Sequence, residues 1–300
     1  MTLSIILQTL LNSLQYAAVL SLSSFAIILI FKTSTTTNFA QGTISVLGGY
    51  FIATVLYNYA QLPTLLALLF GMVFSFAIGF LIDTQIFRRS RHLTGIGKQM
   101  ITMGIVLVVT NVIPFVFPRV NLFLPKLMLG NLLFTIDNFT YSLSYHALFS
   151  IILAATILSG LFVALKYTKW GLVVRATASS ELVAGMMGVN TRVITALSWS
   201  IAGALGALAA YLWGAASNGA LDPAYMTNIQ VNGFLSSILG GFGTFYGPVV
   251  GSVLYTLTNN LVGFPAELTQ WKDVIVYALI LLVILVRPIG LFGKKTIKKV

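Results

Sequence analysis

Apolar residues gather in long runs separated by short polar stretches, over approximately 5–31, 43–61, 63–82, 100–117, 146–165, 193–216, 229–243, 246–262 and 273–289. About 20 residues, rising about 1.5 Å each, cover a hydrocarbon layer about 30 Å thick, so runs of this length predict membrane-crossing helices. The pattern predicts an all-α membrane protein: one domain over residues 1–300, a polytopic bundle of about eight to nine transmembrane segments. The 229–262 region is the exception. Its two runs are short and meet at Gly240, Gly241, Gly243, Gly247 and Pro248, which predicts a broken or re-entrant pair of half-spans. Ser45-Val-Leu-Gly-Gly-Tyr50 is echoed by Ser237-Ile-Leu-Gly-Gly-Phe242, which raises a two-half pseudo-repeat with paired broken helices near the midplane.

Polar stretches set the sidedness. Arg88, Arg89, Arg91, His92 and Lys98 crowd into 83–99, while Lys166, Lys169, Arg175 and Arg192 lie in 166–192, and Arg287, Lys294, Lys295, Lys298 and Lys299 in the tail. Basic loops are retained in the cytoplasm, so these three segments and the C-terminus are expected there. Alternation then puts 118–145 and 217–228 outside. Asp83 and Asp273, at span ends, are expected to be solvated.

The chain is 58% hydrophobic and only 8% charged, with a mean hydropathy of +0.96, far from a soluble protein with about 25% charged residues. A net charge of +11 suggests nucleic acid, but the cations sit in loops and tail rather than on one face, so no nucleic-acid partner is expected. There is no cysteine, and His92 and His146 lie far apart in sequence beside only six acids in the chain. Metal sites, cofactors and catalytic triads are not expected. Gly97-Lys98 is followed by Gln99 and Gly293-Lys294 by Lys295, so no phosphate-cradling loop is present and any ATP must be hydrolysed by another polypeptide. An intramembrane acid that would couple ions to transport is nearly absent, which disfavours a secondary carrier and leaves a facilitative channel open.

Within 166–192, Ser179 or Ser180 is expected to cap a helix of about ten residues with Glu181 in its first turn, ended by Gly188 and Asn190. Leu182, Val183, Met186, Met187 and Val189 are too apolar for a free surface turn. The segment therefore needs a partner, or lies on lipid.

The order Gly171-Leu, Arg175-Ala-Thr-Ala, Glu181, Ala184, Met187-Gly-Val-Asn190 resembles the cytoplasmic coupling segment of branched-chain amino-acid ABC transporter permeases, the LivH-type family. Three further stretches agree in order: Asn38-Phe-Ala-Gln-Gly42 with Leu47-Gly-Gly-Tyr50, Leu239-Gly-Gly-Phe-Gly-Thr-Phe-Tyr-Gly-Pro248 with Gly251, and Val286-Arg-Pro-Ile-Gly-Leu-Phe-Gly293. The chain departs from the family where Ser179 and Ser180 stand in place of a frequent acidic pair. The resemblance implies a multi-pass permease of the cell (inner or plasma) membrane that is not an enzyme. Its implied partners are a second related permease, identical or different, two cytoplasmic ATP-binding subunits and an extracellular or periplasmic substrate-binding protein. The implied cargo is a branched-chain or other small apolar amino acid, with urea, short amides and aromatic amino acids as alternatives.

The coupling residues it implies are Gly171, Arg175, Glu181, Ala184, Met186, Met187 and Gly188, with Glu181 expected to meet a basic group on the ATPase. Asn38, Gln41 and Gly42, beside a helix start that would attract a carboxylate, are candidates for the substrate pathway, as are Gly240, Gly241 and Gly243. The structural alternative makes Asn38 an N-cap and Gln41 an interhelical hydrogen bond. Arg119, Lys126 and Asp222 are candidates for docking the external binding protein, and Asp222-Pro-Ala-Tyr225 also reads as a turn. Trp199, Trp213 and Trp271 are expected to serve as packing or interface anchors, and the small residues of 202–216 to allow close helix packing.

Overall fold

The computed structural model describes residues 2–90, 92–117, 124–136, 139–216, 221–222 and 224–293. Each of the nine apolar stretches is helical. They form α1 (Thr2–Ser34), α2 (Gln41–Tyr50) continued by a π-helix (Phe51–Tyr59), α3 (Thr64–Leu81) continued by a second π-helix (Ile82–Phe87), and α4 (Gly95–Val116). After them come α5 (Tyr145–Tyr167), α6 (Lys169–Ser179), α7 (Glu181–Met186), α8 (Thr191–Ala216), α9 (Thr227–Gly240), α10 (Gly247–Val262) and α11 (Lys272–Val286). Among the described residues, five helices are long and apolar enough to cross a membrane: those of Ser4–Ser34, Thr64–Phe87, Gly95–Val116, Tyr145–Tyr167 and Thr191–Ala216. A helix satisfies its own backbone donors and acceptors, which hydrocarbon cannot do for it. The chain is thus an all-α polytopic membrane protein. Among the described residues, α3, α4, α5 and α11 carry large exposed apolar side chains along their length.

The chain divides into two compact units, one of Met1–Phe25, Met128–Ala154 and Val231–Val300, the other of Ala26–Leu127 and Ala155–Gln230. In the second unit, α2, α3 and α8 approach so closely that only small residues fit. A Cβ on Gly203 would lie 2.3 Å from the Ser75 carbonyl oxygen, and one on Gly79 would lie 2.2 Å from that of Trp199. The Ala and Gly of α8 serve this contact, and Trp199 is buried against Phe87 with ring centroids 4.6 Å apart. Trp271, by contrast, is exposed.

The half-helices are plain. α9 and α10, 14 and 16 residues long, are each about 20 to 25 Å in length, short of a full crossing. Between them Gly241 adopts φ +102°, open to glycine at no steric cost. The sequence echo does not repeat in conformation: Gly49 is helical within α2, whereas Gly241 takes the left-handed turn.

The 118–145 stretch, read from sequence as a loop, holds a hairpin missed there. Strands β1 (Asn131–Ile136) and β2 (Phe139–Ser144) pair antiparallel from Asn131 opposite Ser144 to Ile136 opposite Phe139. Gln8 of α1 ties it down, donating to the Ser142 carbonyl at 2.6 Å and accepting from the Ser142 N–H at 2.9 Å.

Candidate functional site

The 166–192 segment begins with a turn that requires glycine. A Cβ on Gly171 would sit 2.3 Å from the Ala164 carbonyl oxygen, so the chain folds back from α5 only without a side chain there. The Thr168 hydroxyl accepts from the Gly171 N–H at 3.1 Å and starts α6, a helix that the sequence reading did not separate from α7. Arg175 lies exposed on α6. Ser180 is extended at φ −161° and its hydroxyl accepts from the Val183 N–H at 3.3 Å, capping α7 as expected.

α7 has six residues, fewer than the ten expected. Gly188 at φ +84° ends it, but Asn190 belongs to the next helix: its carboxamide oxygen accepts from the Val193 N–H at 3.4 Å. Ala184 is the buried position of α7, against exposures of 75% for Leu182, 55% for Val183 and 80% for both Met186 and Met187. This is a short helix held between two caps, with an apolar surface unpacked by its own chain. Glu181 is only partly exposed.

Asn38, Gln41 and Gly42 are buried together. The Asn38 carboxamide oxygen accepts from the Ala40 N–H at 2.9 Å and its amide donates to the Gln41 side chain at 3.3 Å. Gln41 in turn donates to the Ala202 carbonyl of α8 at 2.9 Å, an interhelical bond. The helix-start N–H of Gly42 is taken by the Gln230 side chain, whose own amide donates to the Phe39 carbonyl. Gln230 was not among the sequence candidates; the available signal was the alternation of amides Asn228, Gln230 and Asn232 at the edge of an apolar run. These groups form one satisfied network joining the start of α2 to α8 and α9.

Gly240, Gly241 and Gly243 lie at the α9–α10 break, where the closing family motif meets the glycine-rich one. The Leu291 N–H donates to the Leu239 carbonyl at 2.9 Å and the Phe292 N–H to the Gly240 carbonyl at 3.0 Å, supplying the partners that a helix end lacks. A Cβ on Gly290 would come within 2.5 Å of the Gly241 Cα, and Tyr246 meets Phe292 edge-on at 6.2 Å. At the other end of these helices the Asn259 amide donates to Asp273 at 2.9 Å. The break therefore lies beside the turn that follows α11.

Lys126 and Asp222 are exposed, and Arg119 lies outside the described residues. The Asp222 carboxylate accepts from the Ala224 N–H at 2.7 Å, closing a turn. In that turn the Tyr225 hydroxyl donates to the Ala210 carbonyl at 2.7 Å, and burial holds its phenol well above the ordinary pKa. Asp83, expected at a solvated span end, is instead 2% exposed; it sits on the π-helix ending α3 and accepts from the Thr195 hydroxyl at 3.4 Å. Among the described residues no group of three or more His, Cys, Asp or Glu is placed to hold a metal ion.

Comparisons with known proteins agree over almost the whole chain. The family model described as branched-chain amino acid transport system / permease component matches residues 9–284. The high-affinity branched-chain amino acid transport system permease protein BraD of Pseudomonas aeruginosa is 26% identical, with 98% of each chain covered. The corresponding LivH of Escherichia coli K12 is 24% identical over 98% of this chain and 97% of its own. Among solved structures, PsaBC from Streptococcus pneumoniae in complex with Fab aligns with 91% of this chain and 89% of its own, at 14% identity and a TM-score of 0.48. With its helices, its glycine-rich break and its capped α7 in place, this chain belongs to the family of permease components of branched-chain amino acid transport systems.

Proposed function

We propose that this chain is the membrane-spanning subunit of an ABC importer, passing branched-chain or other small apolar amino acids handed over by an external binding protein. A second related permease completes the pathway, and two separate cytoplasmic subunits hydrolyse ATP. The carrying observation is α7: a six-residue helix, capped at Ser180 and ended at Gly188, that leaves Leu182, Val183, Met186 and Met187 exposed in a segment that also carries Lys166, Lys169, Arg175 and Arg192. An apolar surface of that kind on a short rigid lever suits the cleft of a partner protein, and a charged flank keeps it out of the bilayer. The roles of BraD and LivH in branched-chain amino acid transport support the substrate class. Sidedness follows from the basic loops: 83–99, 166–192 and the C-terminus face the cytoplasm.

The test is co-purification and transport. The wild-type chain should retain an ATP-binding subunit and support uptake of labelled leucine in proteoliposomes. Replacing Leu182, Met186 and Met187 together with Ser should release that subunit and stop uptake while the protein still inserts. Retention of the subunit by that variant would refute the role of α7, and ATP-independent leucine flux by the chain alone would favour a facilitative channel.

A further inference from the structure

We propose that Asp83, Lys98 and Glu181 form the internal link through which motion of α7 reaches the membrane helices. The proposal rests on the importer reading above and concerns what happens behind α7 rather than in front of it.

Five elements converge on one cavity of about 20 Å³. Ser34 and Thr36 bring the end of α1, Asp83 the π-helical end of α3, Lys98 the start of α4, Thr195 the start of α8, and Glu181 the first residue of α7. Thr36, Asp83 and Thr195 are buried at 0%, 2% and 3% exposure. The Thr195 hydroxyl donates to Asp83 at 3.4 Å, and the Lys98 ammonium donates to the Ser34 carbonyl at 3.3 Å. Glu181 therefore turns toward its own permease, whereas Leu182, Val183, Met186 and Met187 are left exposed.

Two backbone features flank this point. Thr35, between Ser34 and Thr36, is β-branched yet adopts φ +52°, a conformation that persists only when its surroundings enforce it. Asp83 sits in a π-turn closed by the Arg88 N–H on its own carbonyl at 2.8 Å, and π-turns concentrate at functional sites. A carboxylate at 2% exposure is tolerated only with fixed partners, because burying an unpaired charge is costly. Carrying Glu181 away changes the charge around Asp83, and a buried charge left with altered partners is costly. The arrangement resists local absorption of the movement. A displacement of α7 is passed on to α1, α3, α4 and α8, whose ends share the cavity.

The experiment uses the full complex with its ATP-binding subunits in proteoliposomes, comparing Asp83→Asn, Glu181→Gln, Lys98→Met, Lys98→Arg and the Asp83→Asn/Glu181→Gln double variant. The readout is amino acid moved per ATP hydrolysed. Each neutralising variant should lower that ratio about tenfold, the scale of a typical coupling between sites. The double variant should be no worse than the poorer single, because residues acting through one link are not additive, and Lys98→Arg should restore most of the ratio. A wild-type ratio in Glu181→Gln, or independent losses that multiply in the double variant, would overturn the link. If Asp83→Asn fails to insert, Glu181→Gln with Lys98→Met and their double decide by the same criterion. Absence of an ATPase from the wild-type complex would overturn the importer reading itself, whereas a bound ATPase with unaltered coupling in the variants overturns only the link.

Discussion

α7 and α8 follow one another in the chain and both are rich in apolar residues, yet they use them in opposite ways. α8 buries most of its length against α2 and α3 through Ala and Gly, whereas α7 buries only Ala184 and holds two methionines at 80% exposure. Small side chains bring backbones together and specify one packing. Large flexible ones on a free surface adapt to a partner, as methionine does at protein-binding faces. The same apolar composition is thus packed away in one helix and left exposed in the other.

The contrast breaks most severely on the α8 side. Gly203→Leu puts a side chain where even a Cβ would lie 2.3 Å from the Ser75 carbonyl, so α3 and α8 must separate. Overpacking at a backbone contact should destabilise the protein by about 3 kcal/mol or more. The expected outcome is loss of monodisperse protein in detergent, checked by size-exclusion fluorescence, while Leu182→Ala on α7 elutes as wild type.

Next in size is Gln230→Leu. The change removes the side-chain acceptor of the buried Gly42 N–H, at about 1–3 kcal/mol for a buried unsatisfied group. A lowered melting temperature is expected, and Gln230→Glu, which keeps the acceptor for Gly42, should recover part of it.

Gly241→Ala should cost less, about 1–2 kcal/mol, the strain of φ +102° in a residue with a Cβ. The new Cβ would also lie 2.7 Å from the Ile289 carbonyl oxygen, so the effect concentrates where the closing motif clamps the broken helix. Hydrogen exchange at the Leu291 and Phe292 amides should accelerate, with the α8 amides unchanged as the control.

How much of this was legible beforehand depended on whether the signal was local. The nine helical stretches announce themselves by apolar length alone, and the α9–α10 break by Gly240, Gly241, Gly243, Gly247 and Pro248. Ser180 and Gly188 speak equally locally, since cap chemistry needs only a hydroxyl and a free φ. The β-hairpin escaped because its strands are six residues each and sit in a segment read as a connection. Asp83 escaped for a different reason: nothing near it in sequence says that Thr195, 112 residues away, closes over it. The amides of Asn38 and Gln41 could be read either as ligand contacts or as interhelical bonds, and only the fold shows that Gln41 reaches the Ala202 carbonyl while Asn38 bonds Ala40 and Gln41 beside it. Burial of a polar side chain is a property of the neighbours, so it is the last thing that a sequence discloses.

The smallest stability effect carries the sharpest test of the contrast. Replacing Met186 and Met187 together with Ser removes side chains that are already 80% exposed, so folding should change by less than about 0.5 kcal/mol. If those side chains enter a cleft on an ATP-binding subunit, each becomes a buried anchor in the complex, and losing anchors costs more than about 1 kcal/mol apiece. The variant should then keep its melting temperature while its affinity for that subunit falls at least about tenfold, measured by titration in nanodiscs. The same pair of substitutions placed on α8, at Leu205 and Leu208, should do the reverse in order of events: both are at most 3% exposed, so unfolding precedes any measurement of binding. An α7 variant that melts early, or one that binds as tightly as the unaltered chain, would show that its methionines pack or idle rather than recognise.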